Sequence, residues 1–410
     1  MRVLQVNNID LHGRRFNGYD LLDELRDRDV VGAQVVMNKL SKNPNVTALL
    51  TRHMDLAVQD ALCRVEQRHS MNDLLFPWGR ILAELPEFVE ADVVHYHLLH
   101  NQMISVLDLP WLFEKKPTVW TFHDAWPLTG HCIQPVECER WLSGCVDCHA
   151  LEVPFAMRED CAHMMWRIKQ RVFSKLDPDI VVASEYMRDM VARSPLTAHF
   201  QRVHVIPFGI DASPFLPDED RLASREALGI PPDDFVIFFR SADSEFKGLP
   251  YIIEALKLHA PKRRTTLLAV DQLGHLKSLK SRYNVVELGW VNDETLYPKL
   301  FSAADVFLMP STVEGFGLMA LEAMAAGRPV VCFEGTAVPQ VTHAPECGIA
   351  VPKGDSVALR EALDLLAEDP EEARRRGELG RRIAAEQYSH DRYLDALAAL
   401  YRSVRGGGVQ

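Results

Sequence analysis

The chain has 410 residues, 47% hydrophobic and 25% charged, the balance of an ordinary globular protein and enough chain for two domains of about 200 residues each. Its formal net charge of −12 argues against a nucleic-acid partner, which would need a basic face. No apolar run approaches the roughly 18 residues of a membrane span, and the amino terminus lacks the charged-then-apolar pattern of a leader; the expectation is a cytoplasmic protein, with peripheral membrane contact left open.

Met1 to Val6 reads as a first strand, 7–17 as a polar loop and Gly18 as the opening of a helix. In the loop, Arg14 and Arg15 are either phosphate contacts or solvated charges. A second strand is expected at Ala33 to Met37, a helix at Met54 to Arg68, and a third strand at Ala91 to His97, whose apolar run ends in histidines with His100 just beyond. Pro117 to Phe122 is the next strand, and it delivers His123 and Asp124 to the same edge. Open α/β sheets bind ligands at the carboxyl ends of their parallel strands, which makes these histidines candidates.

Four of the eight cysteines, Cys132, Cys138, Cys145 and Cys148, fall between Ala125 and Ala150, flanked by His131 and His149. Four thiolates in one tight loop, the last two as C-x-x-C, match what tetrahedral zinc requires. Structural zinc is therefore expected, because four cysteine ligands close a site that a hydrolytic metal would need open. Unliganded thiols or disulfides, and an iron–sulfur cluster, are the alternatives. A long helix from Pro154 to Leu176, a strand from Asp179 to Ala183 and a helix from Ser184 to Ser194 complete a first domain, 1–198.

A second domain, 199–387, starts with the strand and turn from Val203 to Asp211. Phe235 to Arg240 is a fully apolar strand ending in arginine, and Lys247-Gly248 opens the next helix, so both cations lie at the carboxyl end of a buried strand. Leu267 to Asp271 and Val285 to Leu288 are further strands, the second followed by Trp290. A helix from Asp293 to Ala303 leads into a strand at Val306 to Met309, a loop to Glu314, a helix starting near Phe316, a turn at Gly327 and a strand from Val330 to Phe333. The amides of Gly315, Phe316, Gly317 and Leu318 converge at the positive end of that helix, a place to hold a diphosphate. Glu314 and Glu322 frame it. A carboxylate is a poor phosphate ligand but a good acceptor for sugar hydroxyls, so the pairing points to a nucleotide sugar. The last helix, Tyr388 to Val404, belongs to a third segment, 388–410.

At Glu314 and Glu322, with EGFG and GRPVV around them, the chain resembles the retaining glycosyltransferases of family 4, which have the GT-B fold: two α/β, Rossmann-like doubly wound domains facing a central cleft. Val203 to Asp211 is similar to the family's IPNGID, with Phe208 in place of the Asn. The segment from His123 through Trp126, Gly130 and the cysteines resembles an insertion in a subset of bacterial surface-polysaccharide glycosyltransferases. The resemblance implies that Arg240 and Lys247 neutralise the donor diphosphate, without a catalytic cofactor. It further implies that His123 faces the donor sugar, that Gly18 lies in the turn near the donor phosphates, that Trp290 stands where the base is held, and that the last helix crosses back to the first domain. The expected activity is retaining transfer of a hexose from a nucleoside diphosphate sugar to a small-molecule or glycan acceptor, in natural-product or surface-polysaccharide biosynthesis. A non-catalytic nucleotide-sugar-binding scaffold and a sugar phosphorylase or hydrolase are the rival readings.

Overall fold

Two runs of short apolar strands, the central ones buried on both faces, build two separate parallel sheets. The structure, a computed structural model, describes residues 1–10, 16–100, 102–151, 157–215, 221–244 and 246–407. In the first sheet the strands are β1 (Arg2–Ile9), β2 (Val31–Asn38), β3 (Val46–Ala48), β4 (Val93–Tyr96), β5 (Thr118–Thr121), β6 (Asp179–Val182) and β7 (Val203–Val205), ordered β3-β2-β1-β4-β5-β6-β7. In the second they are β8 (Phe235–Ser241), β9 (Thr265–Asp271), β10 (Asn284–Glu287), β11 (Val306–Met309), β12 (Val330–Phe333) and β13 (Ile349–Val351), ordered β10-β9-β8-β11-β12-β13. All pairings are parallel, and the chain order reverses at β1/β4 in one sheet and at β8/β11 in the other. Such reversal points open a crevice at the strand carboxyl ends.

The described residues divide into one unit of Met1–Pro207 with Tyr393–Gln410, and a second of Phe208–Arg392. Because Val203–Val205 pairs with β6, through Val181↔His204 for example, the first unit runs past the expected end at 198 to Pro207. The helix His390–Gly406 gives its buried Leu394, Leu397 and Tyr401 to that same unit. In the first unit Trp120, Phe122, Phe173 and Ile180 centre the core, and in the second Phe235, Ile237, Phe239, Leu308 and Phe333 do so.

Several helices start later than the sequence indicates, among them the one opened at Gly18, which starts at Leu21, and the last, which starts at His390; three others do so for a visible local reason. The helix expected from Pro154 covers Ala162–Phe173; residues 154–156 lie outside the described ones, and Asp160 takes the N–H groups of Cys148 (2.7 Å) and Ala162 (3.1 Å) just before the helix. The helix expected from Asp293 starts at Tyr297, because the Asp293 carboxylate accepts from Thr295 N and Leu296 N in a turn. The helix expected near Phe316 is Leu318–Ala325, since Gly317 stands before it with φ +100°. Among the described residues, no helix is long and apolar enough to cross a membrane.

Candidate functional site

The β8/β11 reversal gathers the second unit's candidates. After β8 the chain turns through Lys247 and Gly248 into the helix Leu249–Leu258. Gly248 has φ +74°, and a Cβ there would lie 1.9 Å from the carbonyl oxygen of Pro310, the residue that ends β11. Only glycine lets these backbones approach so closely. The approach places Lys247 beside the loop after β11, and its Nζ donates to Glu314 Oε2 at 2.8 Å. An ammonium carries three donors, so the bond to Glu314 leaves two for an incoming anion.

Arg240, the second cation, is held by Asp271 at the end of the neighbouring strand, Nε donating to Oδ2 at 2.5 Å. That bond fixes the guanidinium and keeps its terminal NH2 groups for a bidentate contact. Asp271 is anchored in turn, its N–H donating to Gly289 O at 2.8 Å. Trp290 follows with its ring centroid 6.0 Å from Arg240 Cζ and its Nε1 donating to Asn292. It is 63% exposed, which excludes a core-packing role and leaves a large flat ring beside a cation.

Leu318 opens the helix Leu318–Ala325, and the first N–H groups of a helix have no intrahelical acceptor. Phe316, 4% exposed, packs edge-on against Phe208 and Tyr388 at 5.2 and 6.1 Å. The Phe208 that replaces asparagine in the IPFGID turn thus supports the glycine-bearing loop. Glu322 lies about one turn into the helix and accepts from Tyr297 OH at 2.7 Å. Asp271 and Tyr297 were not singled out from sequence. Asp271 pairs with Ser241 in register, so the rule about strand carboxyl ends could have found it; Tyr297 looked like part of a helix interior.

The first unit's reversal point gathers histidines rather than cations. His123, half-buried, sits with its Nε2 3.0 Å from His97 Nδ1. His97 Nε2 is 2.8 Å from Gln5 Oε1, and Gly18 lies directly over Gln5: with φ +91°, a Cβ on Gly18 would meet Gln5 Cβ at 2.7 Å and Oε1 at 2.9 Å. Burial pushes His123 down to about 4 and His95 down to about 3, and it lowers His97 well below the ordinary histidine value, so all three imidazoles are neutral near pH 7. Burial would raise Asp124, yet His100, with Nε2 3.0 Å from Oδ2, holds it below the usual carboxylate range. Arg14 and Arg15 lie outside the described residues.

The cysteine-rich loop is pinned from below by Lys169 on the helix Ala162–Phe173. Its Nζ donates to Trp126 O (2.7 Å) and Thr129 O (3.1 Å) and sits 3.6 Å from the Trp126 ring centroid. Burial pushes this lysine down to about 7. Cys132, Cys138, Cys145 and Cys148 line one small cavity together with His131. All four are free thiols, and Gly130 N donates to Cys145 Sγ at 3.2 Å. Among the described residues, no three His, Cys, Asp or Glu side chains are arranged to hold a metal ion. The loop therefore supplies four ligands of the right kind around one cavity, not a finished coordination geometry.

Residues 220–383 match the family described as Glycosyl transferases group 1, and residues 57–213 match Glycosyltransferase Family 4. Over 249 residues the chain is 30% identical to an MMP alpha-(1->4)-mannosyltransferase of Mycolicibacterium hassiacum, covering 59% of this chain and 56% of that protein. Over 237 residues it is 31% identical to the O-antigen chain mannosyltransferase C of Escherichia coli, covering 55% and 61%. The match thus spans little more than half the length of these curated relatives. Among solved structures it is similar to a sucrose-phosphate synthase from Thermosynechococcus elongatus, with TM-score 0.68, 17% identity and 99% of each chain covered. It is also similar to Anabaena HepE in complex with UDP-glucose, with TM-score 0.64, 16% identity, and 98% of this chain and 100% of that one covered. At these identities the likeness shows the fold, which is GT-B.

Proposed function

We propose that this GT-B chain, whose two halves match glycosyltransferase families, transfers a sugar from a nucleoside diphosphate sugar to a small-molecule or glycan acceptor with retention of configuration. The observation that carries the reading is the cluster at the β8/β11 reversal: Lys247 against Glu314, Arg240 against Asp271 and the helix start at Leu318. Two cations and a helix amino end suit a diphosphate, and two carboxylates suit sugar hydroxyls. The HepE complex with UDP-glucose and the mannosyltransferase relatives point to the same substrate class.

In this reading the bond from the sugar anomeric carbon to the diphosphate oxygen breaks. The charge growing on the departing diphosphate is stabilised by Lys247, Arg240 and the amides of Gly315 to Leu318. The acceptor hydroxyl attacks from the same face, and its proton passes to an oxygen of the leaving diphosphate. Glu314 binds the transferred sugar, Glu322 the ribose and Trp290 the base. Within the first unit, His123 is assigned a sugar contact.

For the cysteine loop we propose a structural zinc held by Cys132, Cys138, Cys145 and Cys148; what supports it is four free thiols around one cavity. Elemental analysis of the purified protein should find about one zinc per chain, lost in a Cys145→Ser, Cys148→Ser double variant. Metal-free wild type would sink the assignment.

The test of the transfer reading is nucleoside diphosphate release from UDP-, GDP-, ADP- and dTDP-sugars offered with glycan and small-molecule acceptors, with the product anomer determined by proton NMR. A product of the donor's own anomeric configuration is expected. An inverted product would refute retention, and release that depends only on water or phosphate would favour a hydrolase or phosphorylase.

A further inference from the structure

At the end of β9 the backbone takes a shape that its residue type does not favour. Asp271 has φ +94°, a conformation left mostly to glycine. A residue strained in this way persists only where its surroundings hold it from several sides, and such residues cluster at ligand sites. The hold is visible here. Asp271 N donates to Gly289 O at 2.8 Å, Arg240 Nε donates to the Asp271 carboxylate at 2.5 Å, and Gln272 N donates to Ser241 O at 3.2 Å.

This bend brings two exposed apolar side chains together at one glycine. Leu273 and Trp290 are each 63% exposed; Trp290 follows Gly289 in the chain, and a Cβ on Gly289 would lie 3.6 Å from Leu273 Cγ. A flat ring and an aliphatic side chain around a residue with no side chain suit the face of a nucleobase. Gln272, between Asp271 and Leu273, supplies the polar group, and its amide has a fixed sense. The backbone N–H of Asp243 can only donate, so the atom it meets at 2.9 Å is the carbonyl oxygen Oε1, and His275 Nε2 lies 3.1 Å from the same oxygen. Both lone pairs of that oxygen are thereby used within the protein.

The amide nitrogen of Gln272 has no hydrogen-bond partner among the described residues, and the side chain is exposed. Two donors and no acceptor are left for a ligand. We infer that Gln272 is a specificity-determining residue that selects the nucleobase of the donor by a ring carbonyl. Uracil, thymine and guanine carry a carbonyl oxygen that these hydrogens can meet, whereas adenine carries an amino group in the corresponding place, a donor facing donors. The inference rests on the proposed contact of the base with Trp290 and uses the second unit alone.

Calorimetry on the full chain with UDP, GDP, dTDP and ADP reads the selection. The tightest ligand should be one of the three carbonyl-bearing nucleotides, with ADP weaker by about tenfold or more, the scale of one net hydrogen bond. Gln272→Glu keeps the shape and can still accept from Asp243 N, but it sets an oxygen where the hydrogens were. Without ligand it should melt as wild type does, being a surface substitution. The preference over ADP should shrink about tenfold or more, whereas a merely structural residue would weaken all four nucleotides alike. ADP as the tightest ligand of wild type, or a preference unchanged in Gln272→Glu, overturns the inference. Trp290→Ala separates the two readings. If it weakens each nucleotide that binds while Gln272→Glu keeps the preference, the inference alone falls. If it changes no affinity, or if none of the four binds wild type, the base contact falls and the inference with it.

Discussion

The two units carry their candidate residues at the same place in the same kind of sheet, yet they solve the problem with opposite chemistry. At the β8/β11 reversal the second unit assembles ion pairs, Lys247 with Glu314 and Arg240 with Asp271, on partly exposed side chains that can exchange one partner for a ligand. At the β1/β4 reversal the first unit assembles neutral imidazoles, buried at His95 and His97 and half-buried at His123, that hydrogen-bond to one another and to neighbouring side chains. A site that must bind and release a charged diphosphate needs cations whose solvation is affordable. Imidazoles shielded from water lose their charge to burial instead.

Breaking the charged half should cost most. Glu314→Gln should lower turnover by about 10²–10³-fold, the scale for removing an oriented electrostatic group in an active site, with an unchanged fold by circular dichroism; a fully active variant would contradict the assignment. Next in size is the support for Arg240. Asp271→Asn removes the carboxylate that anchors Nε, and turnover should fall about tenfold, since Arg240 keeps its charge but loses its fixed orientation. If Asp271→Asn equals wild type, the Arg240–Asp271 pair is structural.

Acid should sharpen the contrast. In the first unit, His95, His97 and His123 are depressed below the ordinary histidine value by burial. A depressed histidine gives stability that is fully present above its unfolded pKa of about 6.5 and is lost as pH falls toward the folded value. Asp73, raised by burial to about 7, works in the opposite direction over the same window. With His131 also lowered by burial and Asp108 also raised, four imidazoles stand against two carboxyls, leaving a net uptake of protons on unfolding between roughly pH 6.5 and 4, so the first unit should weaken there. Six of the seven tryptophans lie in that unit and only Trp290 in the other, so tryptophan fluorescence reports on it. Its melting temperature should drop faster than that of the second unit, followed by hydrogen exchange; parallel drops would refute the contrast.

The smallest expected effect is at Trp290. Because it is 63% exposed, Trp290→Ala should change stability by no more than about 0.5 kcal/mol. Losing the flat ring beside Arg240 should still weaken nucleotide binding by about 0.5–1 kcal/mol, read by calorimetry. A large stability loss with unchanged nucleotide affinity would reverse that assignment.

The charged half was the more legible in the sequence because its parts are local. Val306–Met309, Gly317, Glu322 and Val330–Phe333 lie on one continuous strand–helix–strand stretch, and the strands fell where the apolar runs indicated. Lys247 could be tied to that stretch only through its glycine neighbour, and the reason, contact of Gly248 with Pro310, needed coordinates. The neutral half was half-hidden. His95, His97 and His123 stood out at strand ends, but Gln5 and Tyr401 sit within apolar patterns that read as core, and what joins them is pairing between residues far apart in sequence. One signal was available: Gln5, in RVLQVNNI, is a polar residue inside a central strand, and a buried polar group must have a partner. Helix starts were the weakest reading, because the turns built by Asp160 and Asp293 compete with the helix for the same N–H groups.

The central claim is that the β8/β11 reversal holds a nucleoside diphosphate sugar. The most direct test records thermal shifts of the full chain with UDP-glucose, GDP-mannose, ADP-glucose and dTDP-glucose, for wild type and Lys247→Ala. A ligand that binds only the folded protein raises its melting temperature. One nucleotide sugar should stabilise wild type clearly, with the shift absent in Lys247→Ala. No shift with any of the four, or a shift equal in both proteins, would contradict the account.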